Sequence, residues 1–79
     1  MGRRADNGQL SDACLSNVQV GEPFFVLRAK DVCAPLTVRR WADEAQRRGT
    51  PQPKIDDALA IASEMEEWAR LHGGPKVPD

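Results

Sequence analysis

The sequence predicts an α+β fold, a short β-hairpin or single strand packed on an αα-hairpin. Three observations carry that expectation. Residues 53–72 form a long amphipathic stretch of helical period. A second such stretch opens at Ala34-Pro35 and stops at Gly49. Ahead of both, Phe24-Phe25-Val26-Leu27-Arg28-Ala29 concentrates aromatic and β-branched residues, which suit a pleated surface. The 79 residues are enough for one small domain. The polar, glycine-containing start is expected to be a flexible tail over residues 1–12, followed by one domain over 13–79.

In chain order, Ala13-Cys14-Leu15 is a helical turn or the lead into a strand, and Asn17-Val18-Gln19-Val20 alternates as a half-buried strand does. Gly21-Glu22-Pro23 signals a turn. The strand at 24–29 is apolar on both faces, with Phe24 and Val26 on one and Phe25 and Leu27 on the other, which implies cover on both sides. Its main-chain groups need partners. Residues 18–20 and the tail Lys76-Val77-Pro78 are the available ones, and a homodimer or obligate partner supplies the rest if they fall short.

Asp31 is expected to cap a turn before the first of the two long helices, where proline suits the first turn. Val38, Trp41, Ala42 and Ala45 then make an apolar stripe. Arg40/Glu44, Asp43/Arg47 and Glu44/Arg48 are spaced for ion pairs along that helix. In residues 53–72 the apolar arc is Ile55, Ala58, Leu59, Ala62, Met65 and Ala69, flanked by Ile61, Trp68 and His72. Thr50 or Gln52 would cap it, and Asp56-Asp57 would sit in its first turn, where carboxylates suit the helix dipole. Gly73-Gly74-Pro75 ends it.

Composition narrows the function. A hydrophobic content of 41% with 29% charged residues fits a folded protein. The net charge of −1 gives no basic excess for nucleic acid, which argues against a small DNA-binding regulator. No stretch is long and apolar enough to span a bilayer, and Arg3-Arg4 has no apolar run behind it, so the cytoplasm is the expected location. Cys14 and Cys33 are read as buried small apolar residues, although a bridge between them would close a long loop. One histidine and two distant cysteines offer no metal site, no glycine-rich phosphate loop is present, and no acid–base or nucleophile pair stands out. Neither catalysis nor a cofactor is predicted.

Charge distribution leaves two binding surfaces. Residues 54–72 carry five acids against two bases, and Asp56, Asp57, Glu64 and Glu67 gather opposite the apolar arc as a face for a basic partner. Residues 28–48 carry six bases against three acids. There Arg39, Arg40, Arg47 and Arg48 with Trp41 form an alternative anion or nucleotide site, because guanidinium forks suit phosphate and an aromatic ring stacks on a base.

Between Glu22 and Asp79 the residues Phe25-Val26-Leu27-Arg28-Ala29, Asp31, Ala34-Pro35, Val38-Arg39, Trp41-Ala42, Ala58-Leu59, Met65-Glu66, Trp68 and Pro78-Asp79 form a pattern that resembles short proteins encoded by tailed bacteriophages and prophages. The resemblance implies a counter-defence role. Some such proteins are anti-CRISPR proteins, which bind a Cas subunit and deny it target DNA, and others are sponges for cyclic-nucleotide signals. It implies the cytoplasm of a bacterial host cell as the setting and a host CRISPR surveillance subunit as partner, without a catalytic motif.

Overall fold

A computed structural model describes residues 16–78. Two helices make its body: α1 at Ala34–Arg47 and α2 at Gln52–Leu71. They pack against each other as an αα-hairpin. The expectations for residues 1–12, for Ala13-Cys14-Leu15 and for a Cys14 bridge lie outside the described residues.

Both helices start and stop where local chemistry directs. Asp31 Oδ1 accepts the Cys33 N–H at 2.7 Å, and the Asp31 carbonyl accepts the Ala34 N–H at 3.0 Å. Pro35 then sits in the first turn of α1, where its missing N–H has no consequence. At the other end Gly49 takes φ 88°, a left-handed geometry that a Cβ disfavours. This lets the Thr50 N–H reach the Ala45 carbonyl at 3.0 Å and the Gly49 N–H reach the Gln46 carbonyl at 3.2 Å. Together the two bonds are a Schellman stop. Pro51 caps α2 without any side-chain bond, so neither Thr50 nor Gln52 caps it. Because α2 starts at Gln52, Asp56 and Asp57 fall in its second turn rather than its first. Gly73 and Gly74 both take positive φ, and the Gly74 N–H closes on the Ala69 carbonyl at 2.7 Å.

The core is the seam between the helices: Val38, Ala42 and Ala45 of α1 against Ile55, Ala58 and Ala62 of α2, with Leu27 and Met65 packed at its edge. Alanine on both sides lets the helix backbones approach closely. Ile55 is the one large side chain fully buried among the described residues. Its burial contributes about 1.5–3 kcal/mol, so the seam is shallow. Trp41, expected in the apolar stripe, is 43% exposed at its rim, and Leu59 and Trp68 of the second arc are also exposed. Cys33, expected to be buried, is an exposed free thiol.

The predicted strand is absent, and the described part of the chain is all-α. No residue in 24–29 enters a ladder. A strand exists only through its partners' hydrogen bonds, and both expected partners are engaged elsewhere. Residues 19–22 close on themselves: the Glu22 N–H donates to the Gln19 carbonyl and the Gln19 N–H donates to Glu22 Oε1, both at 3.0 Å. The C-terminal tail passes beside residues 30–32 instead. There the Val32 N–H donates to the Lys76 carbonyl and the Lys76 N–H to the Lys30 carbonyl, each at 2.8 Å, making one isolated parallel bridge between Asp31 and Lys76. That clasp ties the start of α1 to the chain leaving α2.

Candidate functional site

The acidic face is built by α2. At about 100° per residue, Asp56, Glu67, Glu64 and Asp57 fall within an arc of roughly 100°, and its centre lies roughly 180° from that of Ile55, Ala58, Ala62 and Ala69. The second group is buried and the first exposed. Fixing one side of the helix in the seam therefore turns the other, with its four carboxylates, to solvent.

Each carboxylate has a local setting. Asp56 Oδ1 accepts a hydrogen bond from Gln52 Nε2 at 2.9 Å, which orients it without neutralising it. Glu67 is held by Arg70 through a two-pronged contact. That guanidinium hydrogen bond, opposed by desolvation and aided by the Arg70 charge, keeps the Glu67 carboxyl below the ordinary glutamate range. Asp57 and Glu64 also make polar interactions. The arc thus holds Asp56 oriented by Gln52 and Glu67 partly neutralised by Arg70.

The four arginines of the alternative site do not converge in the same way. Arg39 crosses the seam to Glu66, with Nη1 donating to Oε2 at 3.1 Å and Nη2 donating to Oε1 at 2.5 Å. This fork raises the Arg39 pKa and lowers that of Glu66; in both the hydrogen bond is the main cause, and desolvation opposes it. Arg47 bonds Asp43 at 2.7 Å and approaches Glu44 at 3.4 Å, while Arg48 Nε donates to Glu44 at 2.8 Å. Two of the three spaced pairs therefore form, and Arg40/Glu44 does not. Among the described residues only Arg40 of the four is left without a hydrogen bond or ion pair. A phosphate ligand would have to compete with carboxylates for the other three.

Two open clefts flank the clasp. One, of about 390 Å³, has Phe25, Val26 and Val77 as apolar walls beside Arg28, Lys30 and Lys76. The other, of about 430 Å³, runs between Val32, Leu36 and Ala69 and has the Arg39–Glu66 fork in its wall. Sequence reasoning named neither, because both depend on where the tail crosses the start of α1. At the end of α2, His72 stacks on Trp68 with ring centroids 4.0 Å apart, and its Nδ1–H donates to the Trp68 carbonyl at 2.7 Å. The ring is thereby fixed as a terminal staple of the helix. No group of three His, Cys, Asp or Glu among the described residues is placed to hold a metal ion. No described helix is long and apolar enough to cross a membrane.

No protein-family model matches the chain, and no curated protein or solved structure shows significant similarity to it.

Proposed function

We propose that the protein acts by binding, with the outer face of α2 docking on a basic groove of a larger protein. The observation that supports this best is the position of Asp56, Asp57, Glu64 and Glu67 on the solvent side of the longest described helix, opposite its buried seam. A helix braced from behind presents its charges already ordered, so docking loses little conformational freedom. Carboxylates along one face roughly imitate a row of phosphates, and a groove shaped for a nucleic-acid backbone is a suitable receptor. A net charge of −1 confines the imitation to this face.

The resemblance to short phage proteins adds the biological setting: a counter-defence protein in a bacterial host, occupying the DNA-binding surface of a CRISPR component and blocking target access. The rival reading, a cyclic-nucleotide sponge on Arg39, Arg40, Arg47 and Arg48, draws less support because three of those side chains already hold carboxylates.

The test is affinity purification from nuclease-treated lysate of a host carrying CRISPR systems, with wild type beside the double variant Asp56→Lys, Glu64→Lys. The expected result is capture of a Cas subunit by wild type and loss of at least about tenfold in affinity in the variant, as for reversal of charges facing a basic partner. Circular dichroism should show the helices unchanged. Equal capture by both proteins would sink the acidic-face reading. A thermal shift of several degrees with a cyclic dinucleotide would instead select the sponge, since a ligand that binds only the folded state stabilises it.

A further inference from the structure

Three cations share one cleft without an anion to match them. The cleft of about 390 Å³ beside the clasp is lined by Arg28, Lys30 and Lys76, and Asp31 is its one acid among the described residues. Main-chain bonds fix where the three stand. The Asp31 N–H donates to the Arg28 carbonyl at 3.0 Å, and the Lys76 N–H donates to the Lys30 carbonyl at 2.8 Å. Residues 28–31 are therefore a turn, and the tail that carries Lys76 is tied to it. All three basic residues are exposed, and none of their side chains makes a hydrogen bond or ion pair. Asp31 offsets only one of the three charges, and its Oδ1 already accepts the Cys33 N–H at 2.7 Å. A formal surplus of two positive charges is left in the cleft. The opposite wall is apolar: Phe25 is 84% exposed and Val77 80%, with Val26 open beside them. A ligand that meets both walls joins an anion to an apolar body.

We propose that this cleft binds a soluble phosphomonoester with an aromatic body. Charge selects the headgroup. A phosphomonoester carries about −1.5 to −2 at neutral pH, which matches the surplus, whereas a carboxylate would leave one positive charge unmet. The Arg28 guanidinium suits two phosphate oxygens at once, and the two ammonium groups add point charges. The wall selects the body, because Phe25 offers a ring for stacking and Val26 and Val77 offer apolar contact. Size selects a soluble ligand. A volume of about 390 Å³ lies near the lower end of the roughly 300–1,000 Å³ of small-molecule sites, room for one fused ring system and not for long acyl chains. The cleft is open, so binding is weak, with Kd of about 0.1–1 mM for a ligand of this size. The cleft and the outer face of α2 lie on different elements, and either can fail alone.

An amide NMR titration of the full chain with naphthyl phosphate, in phosphate-free buffer at low salt, tests the site. Wild type should show saturable shifts at residues 25–31 and 76–78, at least about fivefold tighter than with inorganic phosphate, since stacking adds to charge. Naphthol, which has the ring without the charge, should give no saturable shift. Arg28→Gln and Lys76→Gln should each weaken the ester about threefold or more. Both keep the main-chain bonds, so the helical circular dichroism should be unchanged. Phe25→Ser should erase the advantage of the ester over inorganic phosphate and leave inorganic phosphate binding as it was. Lys54→Gln, which removes a charge from α2 outside the cleft, should bind as wild type does. No shift at about 10 mM ester, well above the expected Kd, would overturn the site. So would binding indifferent to Arg28→Gln and Lys76→Gln, an equal loss in Lys54→Gln, or naphthol binding as tightly as its ester. Binding to phosphatidylcholine vesicles containing phosphatidic acid, with none to the free ester, would overturn the soluble ligand and give the cleft to a lipid surface.

Discussion

The helix seam and the segment that leads into it use apolar residues in opposite ways. The seam is made mostly of alanines, yet Ala42, Ala58 and Ala62 are buried along with Val38 and Ile55. The lead-in carries larger side chains, yet Val20, Phe24, Phe25 and Val26 stand in solvent. Residue hydrophobicity therefore does not decide which region is the core. What decides is whether the backbone can satisfy its own hydrogen bonds while the apolar side is covered. A helix does so within itself and needs only another helix to bury its face. A strand needs a neighbour, and within the described residues residues 24–27 have none.

The largest effect expected from this contrast is at Ile55. It is the one large, fully buried side chain among the described residues, and it faces alanines that cannot move far to fill a void. Ile55→Ala should cost about 2–5 kcal/mol, enough to unfold a large part of a protein this small, since domains are stable by only about 5–15 kcal/mol. Chemical denaturation followed by circular dichroism measures it. A loss under about 1 kcal/mol would mean that the seam is not the core.

A smaller effect is expected at the polar clamp beside the seam. The Glu66 carboxyl is held below its ordinary value of 4.5, mainly by the hydrogen bond from Arg39, with desolvation opposing and charge assisting. A carboxyl whose pKa is depressed on folding adds stability that is fully present above its unfolded value and is lost as pH falls through the folded one. Wild type should therefore lose stability on acidification below about pH 4.5. Glu66→Gln should be less stable at neutral pH and show a shallower loss in acid. Thermal melts of both proteins across that range read the difference, and parallel curves would show that the fork adds nothing to the hairpin. The exposed Arg70–Glu67 pair has the same sign but lies within one helix, so Glu67→Gln should change the acid slope without loosening the seam.

Legibility in the sequence divides along the same line. The helices were readable because their signals are local. Residues 53–72 were expected and Gln52–Leu71 is observed; the start at Ala34 and the stop at Gly49 also match. The acidic arc follows from period alone. Absence of the strand was not readable, since composition reports suitability for a sheet and says nothing about an available partner. Nor was the Arg39–Glu66 fork, whose residues lie 27 apart and meet only through the relative register of two helices. Trp41 satisfied the periodic stripe yet lies at the rim, because a seam narrowed by alanines leaves little room for an indole.

The smallest expected effect is the sharpest test of the contrast. Phe25 is the larger and more apolar residue beside any alanine of the seam, so a ledger based on hydrophobicity would rank it among the stabilising positions. Its 84% exposure says otherwise. Phe25→Ser should change the unfolding free energy by less than about 0.5 kcal/mol, against several for Ile55→Ala. Chemical denaturation of the two variants side by side measures the difference. If Phe25→Ser were as destabilising as Ile55→Ala, the lead-in would be part of the core, and the distinction between a self-sufficient helix pair and an unpaired segment would fail.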